Sequence, residues 1–303
     1  MSSHRRVFWL SPLFQIPLMF LVTFLAITAL FWLLGLGRPP VTVAIALDLS
    51  SSTGQLESQD YERETTVMGK EVRAVRAYLE KNASELGERS NQVQIFGFGG
   101  AVQPLTESFN SQRQQIESQL TQSLKNPDLS AQIVPGKTDL DLAIRQSTNA
   151  LINHDDHCRE LLIVTDGQEP VSPSVIAEAV NRQVKINAVV VGGEAPSLRG
   201  AALATEGTYL TSALDTLEVF FTNRLFADFN SNLKWIIFWL GLAWIAFMWT
   251  ITLPLDEYFF QQLLGLNWSL AGKLALSHAF FWTVATPGII WRIAGGIPLI
   301  SAC

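Results

Sequence analysis

The chain has 303 residues, with 21 Lys and Arg against 27 Asp and Glu, and nine Trp. This is long enough for one sizeable domain with further segments around it. The net charge of −6 argues against a nucleic-acid partner, whose phosphates require a basic surface.

Charge and tryptophan occupy different parts of the chain. All nine Trp lie outside residues 40–230, whereas residues 40–233 carry 15 of the 21 Lys and Arg and 25 of the 27 Asp and Glu, a net charge of −10. An acidic middle part is thus set between apolar, Trp-rich ends. In chain order, residues 1–10 form a tail containing Arg5 and Arg6. Ser11 to Gly37 carries no charge and exceeds the roughly 20 apolar residues that span a bilayer. It is too long for a signal-peptide core, and no small-x-small cleavage site precedes Arg38-Pro39-Pro40, so 11–37 is expected to be a retained transmembrane signal anchor.

The domain, 40–230, begins with the apolar run Val41 to Leu47, which reads as its first strand. Asp48-Leu49-Ser50-Ser51-Ser52 follows it directly. An Asp and two Ser at alternate positions after a strand put three hard oxygen ligands on one loop, which suits Mg²⁺. The same residues also fit a Ser-rich turn that caps the next helix. A polar loop then leads to a helix over 67–86, whose Val72, Val75, Ala77, Tyr78 and Leu79 form a core-facing stripe. A strand at 92–98, a short extended piece near 101–105 and helices at about 109–125 and 139–153 come next. The turn residues Pro135-Gly136-Lys137 place Thr138 at a loop–helix junction. A strand at 160–165 ends in Thr165-Asp166-Gly167. Helix 173–183, strand 185–191, helix 196–204, strand 207–211 and helix 213–227 complete the set.

This alternation implies an α/β fold: a doubly wound, mostly parallel sheet with helices on both faces. Such sheets bind ligands beyond the carboxyl ends of their strands, near a topological switch point. The loops carrying Asp48, Ser50, Ser52, Thr138 and Asp166 would converge there. After the domain, 235–255 is a second uncharged stretch of spanning length, with aromatics suited to an interfacial belt. Residues 256–273 read as a connecting segment. A third transmembrane helix is expected at 274–291 despite His278, Thr286 and Pro287-Gly288, and 292–303 is a tail. Arg5 and Arg6 favour a cytoplasmic start and a domain outside the cytoplasm. Counted over all three spans, however, Arg5, Arg6 and Lys273 balance Arg38, Lys234 and Arg292.

The succession Asp48-x-Ser50-x-Ser52, Thr138, Asp166 resembles the metal-ion-dependent adhesion site of the von Willebrand factor A domain. The likeness covers roughly residues 40–228. Phe96-Gly97-Phe98-Gly99 is similar to that family's second core strand, and Val102-Gln103-Pro104-Leu105-Thr106 to the segment after it. Ala204-Thr205-Glu206-Gly207-Thr208-Tyr209 is similar to its Gly-plus-aromatic strand. The resemblance implies that Ser50, Ser52 and Thr138 offer hydroxyls to a divalent cation, Mg²⁺ or else Mn²⁺ or Ca²⁺. Asp48 and Asp166 would bond it directly or through water, and a partner protein would add a carboxylate. The long loop 51–66 and the flanking membrane segments resemble the Bat aerotolerance proteins of the bacterial inner membrane, often associated with MoxR-type ATPases. That likeness implies an extracytoplasmic domain, with membrane-complex subunits or such an ATPase as further partners beside the lipid bilayer.

Other features read more plainly. Glu57, Asp60, Glu62 and Glu64 are expected to form a solvated acidic loop rather than a second cation site. His154-Asp155-Asp156-His157-Cys158 has metal-ligand residue types but no second cluster to complete four ligands. Gly97-x-Gly99-Gly100 does not continue into a dinucleotide fingerprint. His278 is expected to bond a neighbouring helix. No nucleophile has a base nearby in sequence, so no enzymatic activity is expected. The alternative to a binding module is a structural or assembly subunit whose Trp-rich helices make the main contacts.

Overall fold

The computed structural model describes residues 11–167, 169–294, 296–299 and 303, without the side chains of residues 88, 212 and 214. The tail 1–10, with Arg5 and Arg6, lies outside the described residues. The chain divides into two units: Pro40–Asn230, and the two flanking ends taken together.

Helix α1 (Pro12–Leu34) belongs to the flanking unit and ends at Gly35 in the left-handed conformation. The central unit then contains β1 (Val41–Asp48), α2 (Val67–Leu86), β2 (Gln92–Phe98), β3 (Val102–Pro104), α3 (Arg113–Leu124) and α4 (Leu129–Ile133). It continues with α5 (Leu140–Leu151), β4 (Cys158–Thr165), α6 (Pro173–Asn181), β5 (Val184–Val191), α7 (Pro196–Ala204) and β6 (Tyr209–Ser212). The sheet order is β3-β2-β1-β4-β5-β6. Every pairing is parallel except that of β3 with β2. The fold is therefore α/β and doubly wound.

β1 is central and buried along its whole length. Val43, Ile45 and Leu47 face one core, shared with Val72, Val75 and Tyr78 of α2, Leu120 of α3, and Phe221 and Leu225. Ala44 and Ala46 face the other, with Leu140, Ala143 and Ile144 of α5 and with Leu161, Ile163, Val175 and Leu198. Burying a side chain such as Ile45 or Leu47 contributes roughly 1.5–3 kcal/mol. Alanine on the second face leaves room for α5 beside the strand. Because β2 and β4 flank β1 on opposite sides, the strand order reverses at β1, and the loops after β1 and β4 open onto that switch point.

Local chemistry moves several boundaries. The expected helix start at 109 shifts to Arg113 because Asn110 pairs with Val93 through two backbone hydrogen bonds of 2.8 and 3.1 Å. Helix α4 was not foreseen in a short Pro-bounded stretch. The expected helix at 213–227 is α8 (Leu217–Val219), a π-helical segment Phe220–Leu225 and α9 (Phe226–Phe229).

In the flanking unit, α10 (Leu233–Thr250) passes through α11 (Thr252–Pro254) into a π-helical segment, Leu255–Leu263, and α12 covers Trp268–Ala294. Pro12–Leu34, Leu233–Leu263 and Trp268–Ala294 are long and apolar enough to cross a membrane. The second run thus continues helically past Leu255, into the stretch read as a connector. The third begins before residue 274 and takes Pro287 into its interior. Aromatic pairs join α1 to α10, Phe31 to Trp235 at 5.5 Å and Phe24 to Trp239 at 6.0 Å between ring centroids. Gly241 lets α10 meet α12 closely: a methyl there would lie 2.3 Å from Ile290 Cδ1. Trp249 Nε1 donates to Thr283 Oγ1 at 2.9 Å. His278 Nε2 accepts from Trp282 on its own helix, at 3.2 Å, rather than from a neighbouring one.

Candidate metal centre

Each loop at the switch point is fixed by main-chain bonds. Leu49 N donates to Phe98 O, and Ser51 N donates to Pro135 O, both at 2.8 Å, which joins the Asp48 loop to the Thr138 loop. Asp139 N donates to Gly99 O at 2.8 Å. The close approach explains that glycine: a Cβ on Gly99 would stand 2.8 Å from Ile133 Cγ2 and 3.0 Å from its carbonyl. Asp139 also caps α5, its carboxylate accepting from Leu142 N at 2.9 Å. Thr138 is thereby held at the helix entrance.

The side chains form a continuous chain of oxygens. Asp48 Oδ1 accepts from Ser50 N at 2.9 Å, and Asp48 Oδ2 from Thr165 Oγ1 at 2.5 Å. Ser50 Oγ and Ser52 Oγ are 2.9 Å apart, and Ser52 Oγ donates to Asp166 Oδ1 at 2.9 Å. Since the Ser52 proton goes to Asp166, Ser50 is the donor to Ser52. Thr138 belongs to the same place. A carbon placed at the Gly167 Cβ position would lie 3.9 Å from Thr138 Cγ2 and 4.0 Å from Asp48 Oδ2. Asp48 and Ser50 are buried, Thr138 and Asp166 half-buried, and Ser52 exposed, so the cluster opens to solvent on one side.

Three contributors were not singled out from sequence. Thr165 donates to Asp48 and accepts from Gly167 N at 2.9 Å, which orients both the carboxylate and the loop after β4. Thr53 Oγ1 lies 2.9 Å from the carbonyls of both Asp48 and Ser50 and ties the loop to itself. Glu71, on α2, is fully buried, and neither of its carboxylate oxygens has a hydrogen-bond partner. The detectable signal was position: Glu71 falls on the apolar stripe between Met68 and Val75. Burial pushes Asp48 above the usual carboxylate range, hydrogen bonds from Ser50 and Thr165 pull it back, and Asp166 raises it again. Burial, then Asp48 and Asp166, raise Glu71 well above that range.

The donor set fits a hard divalent cation. Its side-chain donors are carboxylate and hydroxyl oxygens, Asp48 and Asp166 bring two negative charges to them, and the buried carboxylate of Glu71, on which both act, lacks partners. Among the described residues, no group of three or more His, Cys, Asp or Glu could hold a metal ion by itself. Any ion here would therefore depend on Ser50, Ser52 and Thr138.

The other tempting features have structural employment. Asp60 accepts from Gln55 N at 2.9 Å and pairs with Arg63 at 3.0 Å. Glu62 pairs with Lys125 at 3.8 Å and Glu64 with Arg73 at 3.0 Å. The acids of the long loop thus serve that loop and its neighbours. His154 packs edge-on against Phe109, and His157 Nδ1 lies 3.0 Å from Asp156 Oδ1.

No family model matches the chain, and no curated protein matches it. Solved structures do resemble it in fold. One is a von Willebrand factor type A protein from Catenulispora acidiphila, at 14% identity and a TM-score of 0.49, covering 63% of this chain and 43% of that one. A second is an aerotolerance-related membrane protein from Bacteroides fragilis, at 15% identity and a TM-score of 0.44, covering 59% of this chain and 95% of that one. A third is proximal thread matrix protein 1 from the mussel byssus, with a zinc-occupied metal-ion-dependent adhesion site motif. It is 16% identical with a TM-score of 0.45, covering 63% of this chain and 48% of that one. The chain thus spans less than half of the first and third of these proteins.

Proposed function

We propose that the protein is a membrane-anchored binding module whose central domain holds a divalent cation and captures an acidic group of a partner protein through it. The observation that carries this reading is the oxygen chain Asp48–Ser50–Ser52–Asp166, with Thr138 beside it, at the switch point of the sheet. Ser50, Ser52 and Thr138 would offer hydroxyl oxygens, and Asp48 and Asp166 would balance the charge. A bound Mg²⁺ or Mn²⁺ would supply a Lewis-acidic position for a carboxylate oxygen. The chain's own contribution is preorganisation: Thr165 and Thr53 hold the acids and the loop in place before any ion arrives. Three apolar helices support an integral membrane location. Within this reading, the membrane is the bacterial inner membrane and the domain faces away from the cytoplasm. A MoxR-type ATPase or a further membrane subunit stands among the candidate partners.

The test is affinity capture from detergent-solubilised membranes, with Mg²⁺ or with excess EDTA, using the wild-type chain and Asp48→Ala. Capture that needs the cation and is lost in the variant supports the reading; capture indifferent to both ends it. A second reading, a structural subunit joined through its membrane helices, draws on the exposed aromatics Trp32, Trp268 and Trp291. Exchanging residues 233–303 for an unrelated anchor separates the two, because only the structural role is lost.

A further inference from the structure

Buried carboxylates normally carry their compensation with them. Glu71 does not. Its side chain is 0% exposed, both oxygens lack a hydrogen-bond partner, and the charged groups that act on it are Asp48 and Asp166, of its own sign. The first turn of α2 is attached to the loop that holds the oxygen cluster. Met68 N donates to Thr53 O at 3.1 Å, and Thr53 Oγ1 reaches the carbonyls of Asp48 and Ser50. A Cβ on Gly54 would lie 3.2 Å from Met68 Cβ, so helix and loop are in close contact there. Glu71 follows Met68 on the same buried face. Three acids therefore share one region, and no Lys or Arg acts on Glu71 among the described residues. A cation at the cluster supplies what this arrangement lacks.

We propose that Glu71 is a third acidic group of the metal centre, acting on the cation through its charge rather than as a direct ligand. The inference rests on the metal reading above. Direct ligation is set aside because no three acidic side chains among the described residues stand close enough to hold an ion together. The role is therefore one of charge. It also makes the centre favour higher charge, since removing one negative charge at fixed distance costs a trivalent ion half as much again as a divalent one.

The experiment uses the full chain in detergent and measures Mn²⁺ and Tb³⁺ binding by titration calorimetry, with thermal unfolding in EDTA as the control for folding. Glu71→Gln is expected to weaken Mn²⁺ about 10-fold and Tb³⁺ about 30-fold, without loss of metal-free stability. Should Gln lower the yield of folded protein, Glu71→Met gives the same comparison with no polar atoms. Unchanged affinities, or an equal loss for both ions, overturn the role of Glu71 while the metal centre stands. A wild-type chain that binds neither ion removes the metal centre and this inference together.

Discussion

The two ends of the central sheet each bury a carboxylate, and they treat it differently. Near the start of β4, Glu160 accepts from Asn187 Nδ2 at 2.7 Å, Asn187 Oδ1 accepts from Thr208 N at 2.9 Å, and Lys185 lies near enough to favour the charged form. At the opposite end, Asp48 and Asp166 act on Glu71 with charge of its own sign, and neither of its carboxylate oxygens has a hydrogen-bond partner. The first arrangement is complete and serves the fold. The second leaves Glu71 without hydrogen-bond or charge compensation, which the proposed cation would supply.

Substitutions at the two ends should therefore behave in opposite ways. The largest effect is expected from Asp48→Ala, which removes the buried carboxylate that Ser50 and Thr165 hold in the cluster. Mn²⁺ affinity measured by calorimetry should fall by at least about 100-fold, and a smaller loss would mean that Asp48 is only a structural turn residue. Next comes Glu160, which burial raises to about 7 despite Lys185 and Asn187. Its unfolded value is near 4.5, so the folded state keeps a proton that the unfolded state releases. Glu160's contribution to stability is then fully present below pH ~4.5, declines as pH rises to ~7 and is lost above it, a change of about 3 kcal/mol. Chemical denaturation across that range should show a flatter profile for Glu160→Gln, and parallel profiles would break the contrast.

Thr165→Val should be intermediate. It leaves Asp48 Oδ2 and Gly167 N without their shared partner, lowering metal affinity about 10-fold and stability by about 1–2 kcal/mol. Calorimetry and thermal unfolding of one preparation read both quantities. The smallest effect belongs to Glu62→Gln in the long loop, since its pair with Lys125 is exposed and 3.8 Å long. Stability should change by less than about 0.5 kcal/mol and metal affinity not at all. A clear loss of affinity there would bring the loop into the centre.

The sequence made some of this legible and hid the rest. Asp48, Ser50, Ser52 and Asp166 stand directly after long apolar strands, where position in the chain determines position at the sheet edge. Thr138 was readable from the turn residues before it. Glu71 was obscured because helical spacing draws attention to the apolar members of a stripe, and one acid among them looks like an interruption. Thr165 was hidden in a strand-final position that β-branched residues fill for conformational reasons alone. The π-helical segments depend on side-chain packing along the helix and left no compositional mark. The run from Leu255 to Leu263 looked like a connector because Asp256 and Glu257 break its apolar character.

The strands that close the sheet are β3, three residues ending in Pro104, and β6, four residues long. A membrane protein moves in two dimensions, where copies meet far more often than they would at the same number in bulk water. Long open sheet margins under such crowding invite chains to zip together through their backbones. Margins this brief, one terminated by a residue that cannot donate, leave neighbouring copies little to join. Encounters between copies then stay reversible.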